Sequence, residues 1–84
     1  MSDEPVVLVD VSLSDIEEVD GDELDKKKLD ALENGYDSFE DQLNSVQYPI
    51  ALDRESKPYG IINGRHRIYL AREKGYSSVP AVFA

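Results

Sequence analysis

The stretch that decides the fold is YGIINGRHRIYLAREKG, residues 59–75. Its first part, Tyr59–Ile62, is rich in aromatic and β-branched residues, which favours a strand. From Arg65 to Lys74 the pattern is helical, with basic residues in the last turn and Gly75 as the stop signal. The sequence therefore predicts a strand that passes directly into a helix, with Asn63 and Gly64 at the junction.

The rest of the chain predicts short elements separated by Gly, Pro, Asn and Asp. The first half predicts a strand at Val6–Val9, a helical turn at Asp15–Glu18 with capping-box spacing from Ser14, and a helix at 22–33 that Asn34-Gly35 ends in a left-handed turn. A further helix is predicted from Asp37 or Ser38 up to Pro49, with Phe39, Leu43 and Val46 on one face. The second half predicts a strand at Ile50–Leu52, a turn at Asp53–Pro58 and a closing strand at Val79–Phe83. Because Pro80 cannot donate a hydrogen bond, the closing strand is expected at a sheet edge. The predicted fold is one α+β domain, a small mixed sheet with packed helices.

Length and composition exclude several classes of protein. A chain of 84 residues can build one small core, so a single domain is expected over residues 1–84. The absence of cysteine excludes a disulfide scaffold, a thiolate zinc site and thiol chemistry. No apolar run has the length of a membrane span and the first residues lack a basic segment, so a cytoplasmic protein without membrane contact is expected.

Charge is distributed unevenly along the chain. Residues 1–41 hold 15 acidic residues and 3 lysines, a net charge of −12, whereas residues 42–84 carry +3. The densest acidic set is Asp15, Glu17, Glu18, Asp20, Asp22, Glu23 and Asp25. Such a surface repels duplex DNA and attracts basic proteins. It is also compatible with a surface that serves only solubility.

The junction at Asn63 has the residue types of an anion site. Backbone N–H groups at a helix start, next to the guanidinium groups of Arg65 and Arg67 and the imidazole of His66, can bind a phosphate. The same residues are compatible with a hairpin turn followed by a solvated helix face. Both interpretations stay open from the residues alone.

The order of these motifs resembles the ParB/sulfiredoxin superfamily over about residues 29–83. The shared features are a strand, a glycine, a variable residue, two basic residues, an alanine-containing helix that ends in glycine, and a Val-Pro-Ala-Val strand. The resemblance implies that Gly64, Arg65, His66 and Arg67 contact the phosphates of a nucleotide such as CTP or ATP with Mg²⁺.

Arg65 departs from the pattern of that superfamily. Sulfiredoxins have their reactive cysteine at this position and ParB proteins a glutamate. The nearest carboxylates, Asp53, Glu55 and Glu73, form no evident pair for acid–base or metal chemistry. The sequence therefore predicts a pared-down domain without catalysis, with no metal and no cofactor.

Two functions remain. The favoured one is a non-catalytic inhibitor or regulator whose acidic face, set out above, mimics the charge of DNA and occupies the basic surface of a DNA-binding protein. The alternative is a nucleotide-phosphate-binding switch or enzyme, kinase-like or nuclease, that uses residues Asn63–Arg67. Direct binding to nucleic acid is not expected because the net charge is −9.

Overall fold

The computed structural model describes residues 7–35 and 38–84. These residues form four strands, three α-helices and two 3₁₀ turns, which confirms the predicted α+β class with a mixed sheet. The elements are β1 (Val9–Ser12), 3₁₀ turns at Leu13–Asp15 and Gly21–Glu23, α1 (Lys26–Asn34), α2 (Phe39–Leu43), β2 (Ile50–Asp53), β3 (Gly60–Asn63), α3 (Arg65–Glu73) and β4 (Ser78–Phe83).

The sheet has the strand order β1-β4-β2-β3. Strand β4 pairs antiparallel with β1 and parallel with β2, and β2 pairs antiparallel with β3. Apolar side chains from the strands and from α2 and α3 form one core, in which Ile50, Leu52, Ile68 and Val79 are fully buried. This core holds the end of β3 and the start of α3 in a fixed relation.

Strand β4 lies inside the sheet, so the predicted edge position is wrong. Val79 and Ala81 are 0% exposed, and Pro80 lies opposite Asp10 of β1. Burying these apolar side chains outweighs the one ladder hydrogen bond that proline cannot donate, whose net value is about 1 kcal/mol.

The first strand begins three residues later than predicted. Val6 lies outside the described residues, and Val7 is 70% exposed. The alternation of Val9, Val11 and Leu13 with polar residues decides the position of β1, because only that alternation directs Val11 and Leu13 into the core.

The predicted helical turn at Asp15–Glu18 is also displaced. The 3₁₀ turn ends at Asp15, and Ile16 is buried in an isolated parallel bridge to Tyr59. The Glu17 carboxylate accepts a hydrogen bond from the Ile61 N–H, so the predicted capping box with Ser14 does not form.

Helix α1 is shorter than the helix predicted over 22–33. It starts at Lys26 because the Asp25 side chain caps it by accepting from the Lys27 N–H. The spacing of Leu24, Ala31 and Leu32 predicts one apolar face for this helix, but Leu24 is buried ahead of the helix and Ala31 is exposed, so that face does not form. Gly35 has φ −77° and ψ −179°, an extended conformation and not the predicted left-handed one.

Helix α2 starts at the position predicted from Ser38, which caps it: the Ser38 hydroxyl accepts a hydrogen bond from the Asp41 N–H. The alternative start at Asp37 lies outside the described residues. The helix ends at Leu43, well before Pro49, and the Asn44 side chain donates to the Glu40 carbonyl there. Val46 is consequently 59% exposed and does not share the buried face of Phe39 and Leu43.

Candidate functional site

The junction between β3 and α3 is built on Gly64. This residue has φ +110°, in the left-handed region, and it occupies the N-cap position of α3 without a side-chain cap. Only glycine adopts this conformation without strain. The chain therefore turns from strand to helix within one residue, and the first N–H groups of α3 have no acceptor within the helix.

An open cleft of about 340 Å³ lies at this junction. One wall comes from α1 and the other from the start of α3, with α2 at one end. Its lining residues are Lys28, Ala31, Leu32, Gln42, Asn63, Gly64, His66 and Arg67. The cleft thus combines an apolar patch with two cations, Lys28 and Arg67.

A second groove, of about 630 Å³, continues from the cleft. The two share Leu32, Gln42, Asn63 and Arg67 in their linings. Tyr48 lines this groove and is 67% exposed. The two cavities therefore form one depression that is lined by the cations Lys28 and Arg67, by the Tyr48 ring and, in the groove, by the Asp41 carboxylate.

Arg67, predicted to contact a phosphate, lines the cleft but also holds the chain together. Its Nη1 donates to the Gln42 carbonyl at 3.1 Å and to the Tyr48 carbonyl at 2.7 Å. Burial lowers the pKa of this half-buried guanidinium from its ordinary value; an arginine nevertheless stays charged at physiological pH. Arg67 thus carries a fixed positive charge into the wall shared by the cleft and the groove.

His66 connects the starts of two helices. Its Nε2 accepts a hydrogen bond from the Asp25 N–H at 3.1 Å, at the N-cap of α1. His66 therefore positions α1 against α3 and lines the cleft at the same time.

Four of the five residues predicted for phosphate binding line the cleft, and Arg65 does not. Asn63 donates through Nδ2 to the Pro49 carbonyl at 3.1 Å, which fixes its amide in the cleft lining. The Arg65 guanidinium lies 3.8 Å from the Glu17 carboxylate instead. The side chains of Lys28 and Leu32 were missed because they approach the site from another helix and carry no local motif.

The predicted acidic face is exposed but not uniform. Asp15, Glu18, Asp20, Asp22, Glu23 and Asp25 are exposed, whereas Glu17 is half-buried. Asp20 and Asp25 act as caps, accepting from the N–H groups of Asp22 and Lys27.

Two of these carboxylates, Asp20 and Asp22, act on the phenol group of Tyr69 together with Glu73. The Glu73 carboxylate raises the pKa of Tyr69 most, followed by burial, a hydrogen bond to Glu73, and the charges of Asp22 and Asp20. The 3₁₀ turn at Gly21–Glu23 lies against α3, where a Cβ added to Gly21 would be 2.8 Å from the Tyr69 ring.

Within residues 7–35 and 38–84, no group of three or more His, Asp or Glu side chains has a metal-binding arrangement. The helices described there are also too short and too polar to cross a bilayer. No protein-family model, curated protein or solved structure matches the chain.

Proposed function

We propose that this protein is a ParB/sulfiredoxin-like binding domain whose cleft takes the phosphate groups of a nucleotide. The observation that carries the proposal is the position of the cleft at the uncapped start of α3. One cavity there is lined by Gly64, whose backbone is left-handed, and by the side chains of Lys28, His66 and Arg67. A helix start offers N–H donors and a positive dipole end, and the nearby cations add charge.

The local charge of the cleft is opposite to that of the whole chain. The protein carries −9, yet the cleft lining holds the two cations Lys28 and Arg67 and no carboxylate. A cationic cleft on a protein of negative net charge favours a small anion that fits inside the cleft. A long polyanion such as DNA would also meet the acidic surface around it and be repelled.

The rest of the depression favours a ligand that is more than phosphate. Leu32 contributes apolar surface to both cavities, and Tyr48 offers an exposed ring in the groove. Aromatic rings stack on nucleobases. A nucleoside triphosphate has both parts, so CTP, ATP and GTP with Mg²⁺ are the ligands to test.

We expect calorimetry to detect binding of at least one of these nucleotides with Kd below about 1 mM, or roughly −4 kcal/mol. Lys28→Ala should weaken that binding by about 3- to 10-fold, because the ammonium group lines the cleft. Lys28 is the residue to change because its side chain, unlike that of Arg67, makes no hydrogen bond within the described ranges 7–35 and 38–84.

Lys27→Ala is the matched control. Lys27 belongs to the same exposed helix and its loss changes the net charge equally, but it does not line the cleft. It should weaken binding less than 2-fold. No binding to any of the three nucleotides, or equal effects of the two substitutions, would contradict the proposal.

A second candidate function rests on the exposed carboxylates. Six of the seven residues in the predicted acidic face are exposed, and of these seven only Glu17 is in an ion pair among residues 7–35 and 38–84. Unpaired carboxylates repel one another, so a basic partner would stabilise them. We propose in second place that this face binds a basic DNA-binding protein by mimicking the charge of DNA.

A triple variant tests the charge-mimic function by combining Asp15→Asn, Glu18→Gln and Glu23→Gln. Their side chains are exposed, so the fold should survive their neutralisation. We expect several-fold weaker binding to a basic DNA-binding protein captured at low salt, with a shallower salt dependence. Displacement of DNA from that protein should weaken to the same extent.

The control removes three negative charges elsewhere, with Asp10→Asn, Glu40→Gln and Glu55→Gln, all exposed. Equal loss of binding in both triple variants would mean that net charge alone is responsible. In that case the acidic face would have no specific role.

A further inference from the structure

One ion pair joins the predicted phosphate-binding residues to the predicted acidic face. The Arg65 Nη2 lies 3.8 Å from the Glu17 Oε2, with side chains 46% and 35% exposed. Arg65 is the first residue of α3, at the uncapped helix start that opens onto the cleft. Its side chain nevertheless turns away from the cleft lining and toward Glu17.

The two partners are held very differently. Glu17 is fixed, since its Oε2 accepts from the Ile61 N–H and its own N–H donates to the Tyr59 carbonyl at 2.9 Å. In addition, Arg72 donates to the Glu17 carbonyl at 3.0 Å. The Arg65 guanidinium, by contrast, is half exposed and makes a long contact with a carboxylate. Exposed pairs of this kind are weak.

A phosphate in the cleft would be a stronger partner for Arg65. The guanidinium group can form two parallel charge-assisted hydrogen bonds with a phosphate, and phosphate carries more charge than a carboxylate. The flexible side chain starts from the first residue of α3, next to Gly64 of the cleft floor. Moving it toward the cleft costs only the weak contact with Glu17.

We infer that Glu17 competes with the bound phosphate for Arg65 and thereby sets the affinity of the cleft. Without ligand, Glu17 holds the guanidinium outside the cleft. With ligand, Arg65 leaves Glu17 and contacts the phosphate. The inference rests on the proposed nucleotide function and assigns a regulating residue to the same site.

The test uses inorganic triphosphate as the probe, titrated by calorimetry into the full chain. Glu17→Gln keeps a side-chain oxygen for the Ile61 N–H but removes the charge that holds Arg65. We expect it to bind triphosphate about 3- to 10-fold more tightly than the wild type. Glu18→Gln, an exposed neighbour with the same charge change, should alter affinity less than 2-fold.

A double-substitution cycle separates the role of Arg65 from general electrostatics. Arg65→Ala should weaken triphosphate binding, and adding Glu17→Gln to Arg65→Ala should then have no larger effect than Glu18→Gln has. A full gain in affinity from Glu17→Gln without Arg65 would overturn the inference. Thermal unfolding of each variant checks that the fold is retained.

Failure of the inference differs from failure of the proposed function. Equal binding by Glu17→Gln and Glu18→Gln variants would overturn the competition while leaving the cleft a phosphate site. No binding of triphosphate or of any nucleotide tighter than about 1 mM, in wild type and variants alike, would overturn both.

Discussion

Gly64→Ala is expected to lower the free energy of unfolding by about 2–4 kcal/mol. Two effects add at this position. The residue has φ +110°, and a Cβ there would lie 2.8 Å from the Ile50 Cγ1. Ile50 is fully buried in the sheet and cannot move aside without disturbing the core. Urea denaturation of the purified variant measures the loss.

Gly75→Ala is the matched control because it isolates backbone strain from the steric clash. Gly75 also has a positive φ, +84°, but a Cβ added there meets nothing within 4 Å. It should cost only about 1 kcal/mol. If both substitutions cost the same, the close approach of Gly64 to Ile50 does not limit stability.

Arg72→Met is expected to lower the free energy of unfolding by about 2–4 kcal/mol. The Arg72 guanidinium donates to three carbonyls, those of Leu13 at 2.9 Å, Ile16 at 2.7 Å and Glu17 at 3.0 Å. Methionine keeps the apolar stem but leaves these carbonyls without their charged donor. For a domain of this size, the melting temperature should fall by more than about 10 °C.

Arg54→Met serves as the control for loss of an arginine. Arg54 is exposed in the turn after β2 and lies over the Phe83 ring, 5.7 Å from its centroid. Its loss should cost less than about 1 kcal/mol. An Arg72 variant as stable as the Arg54 variant would show that solvent replaces the three hydrogen bonds without cost.

Prediction from sequence succeeded where the signals were local. Strand β2, the hairpin to β3 and helix α3 lie within one or two residues of their predicted positions. Each is bounded by residues whose own chemistry sets the boundary, above all Gly64 and Gly75 with their positive φ values. The junction that carries the candidate cleft was predictable for the same reason.

Prediction failed where distant residues decide the structure. The segment around Ile16 is extended because it is bonded to β3 and to Arg72, more than 40 positions along the chain. Strand β4 is central because Val79 and Ala81 are buried, which outweighs the local preference of proline. In the site, Lys28 was missed and Arg65 misplaced, since both depend on contacts between separate elements.

The strand order β1-β4-β2-β3 has a consequence for how the protein is made. Strand β4 joins β1 to β2, and it is the last of the four to leave the ribosome. Until residues 78–83 emerge, β1 lacks its partner strand β4, and the β2–β3 hairpin lacks the strand that joins it to β1. An isolated two-stranded hairpin is marginally stable at best. Folding of this domain therefore cannot be completed until β4, the strand that joins β1 to β2, has been synthesised. A ribosome-bound chain that stops before β4 should remain sensitive to protease.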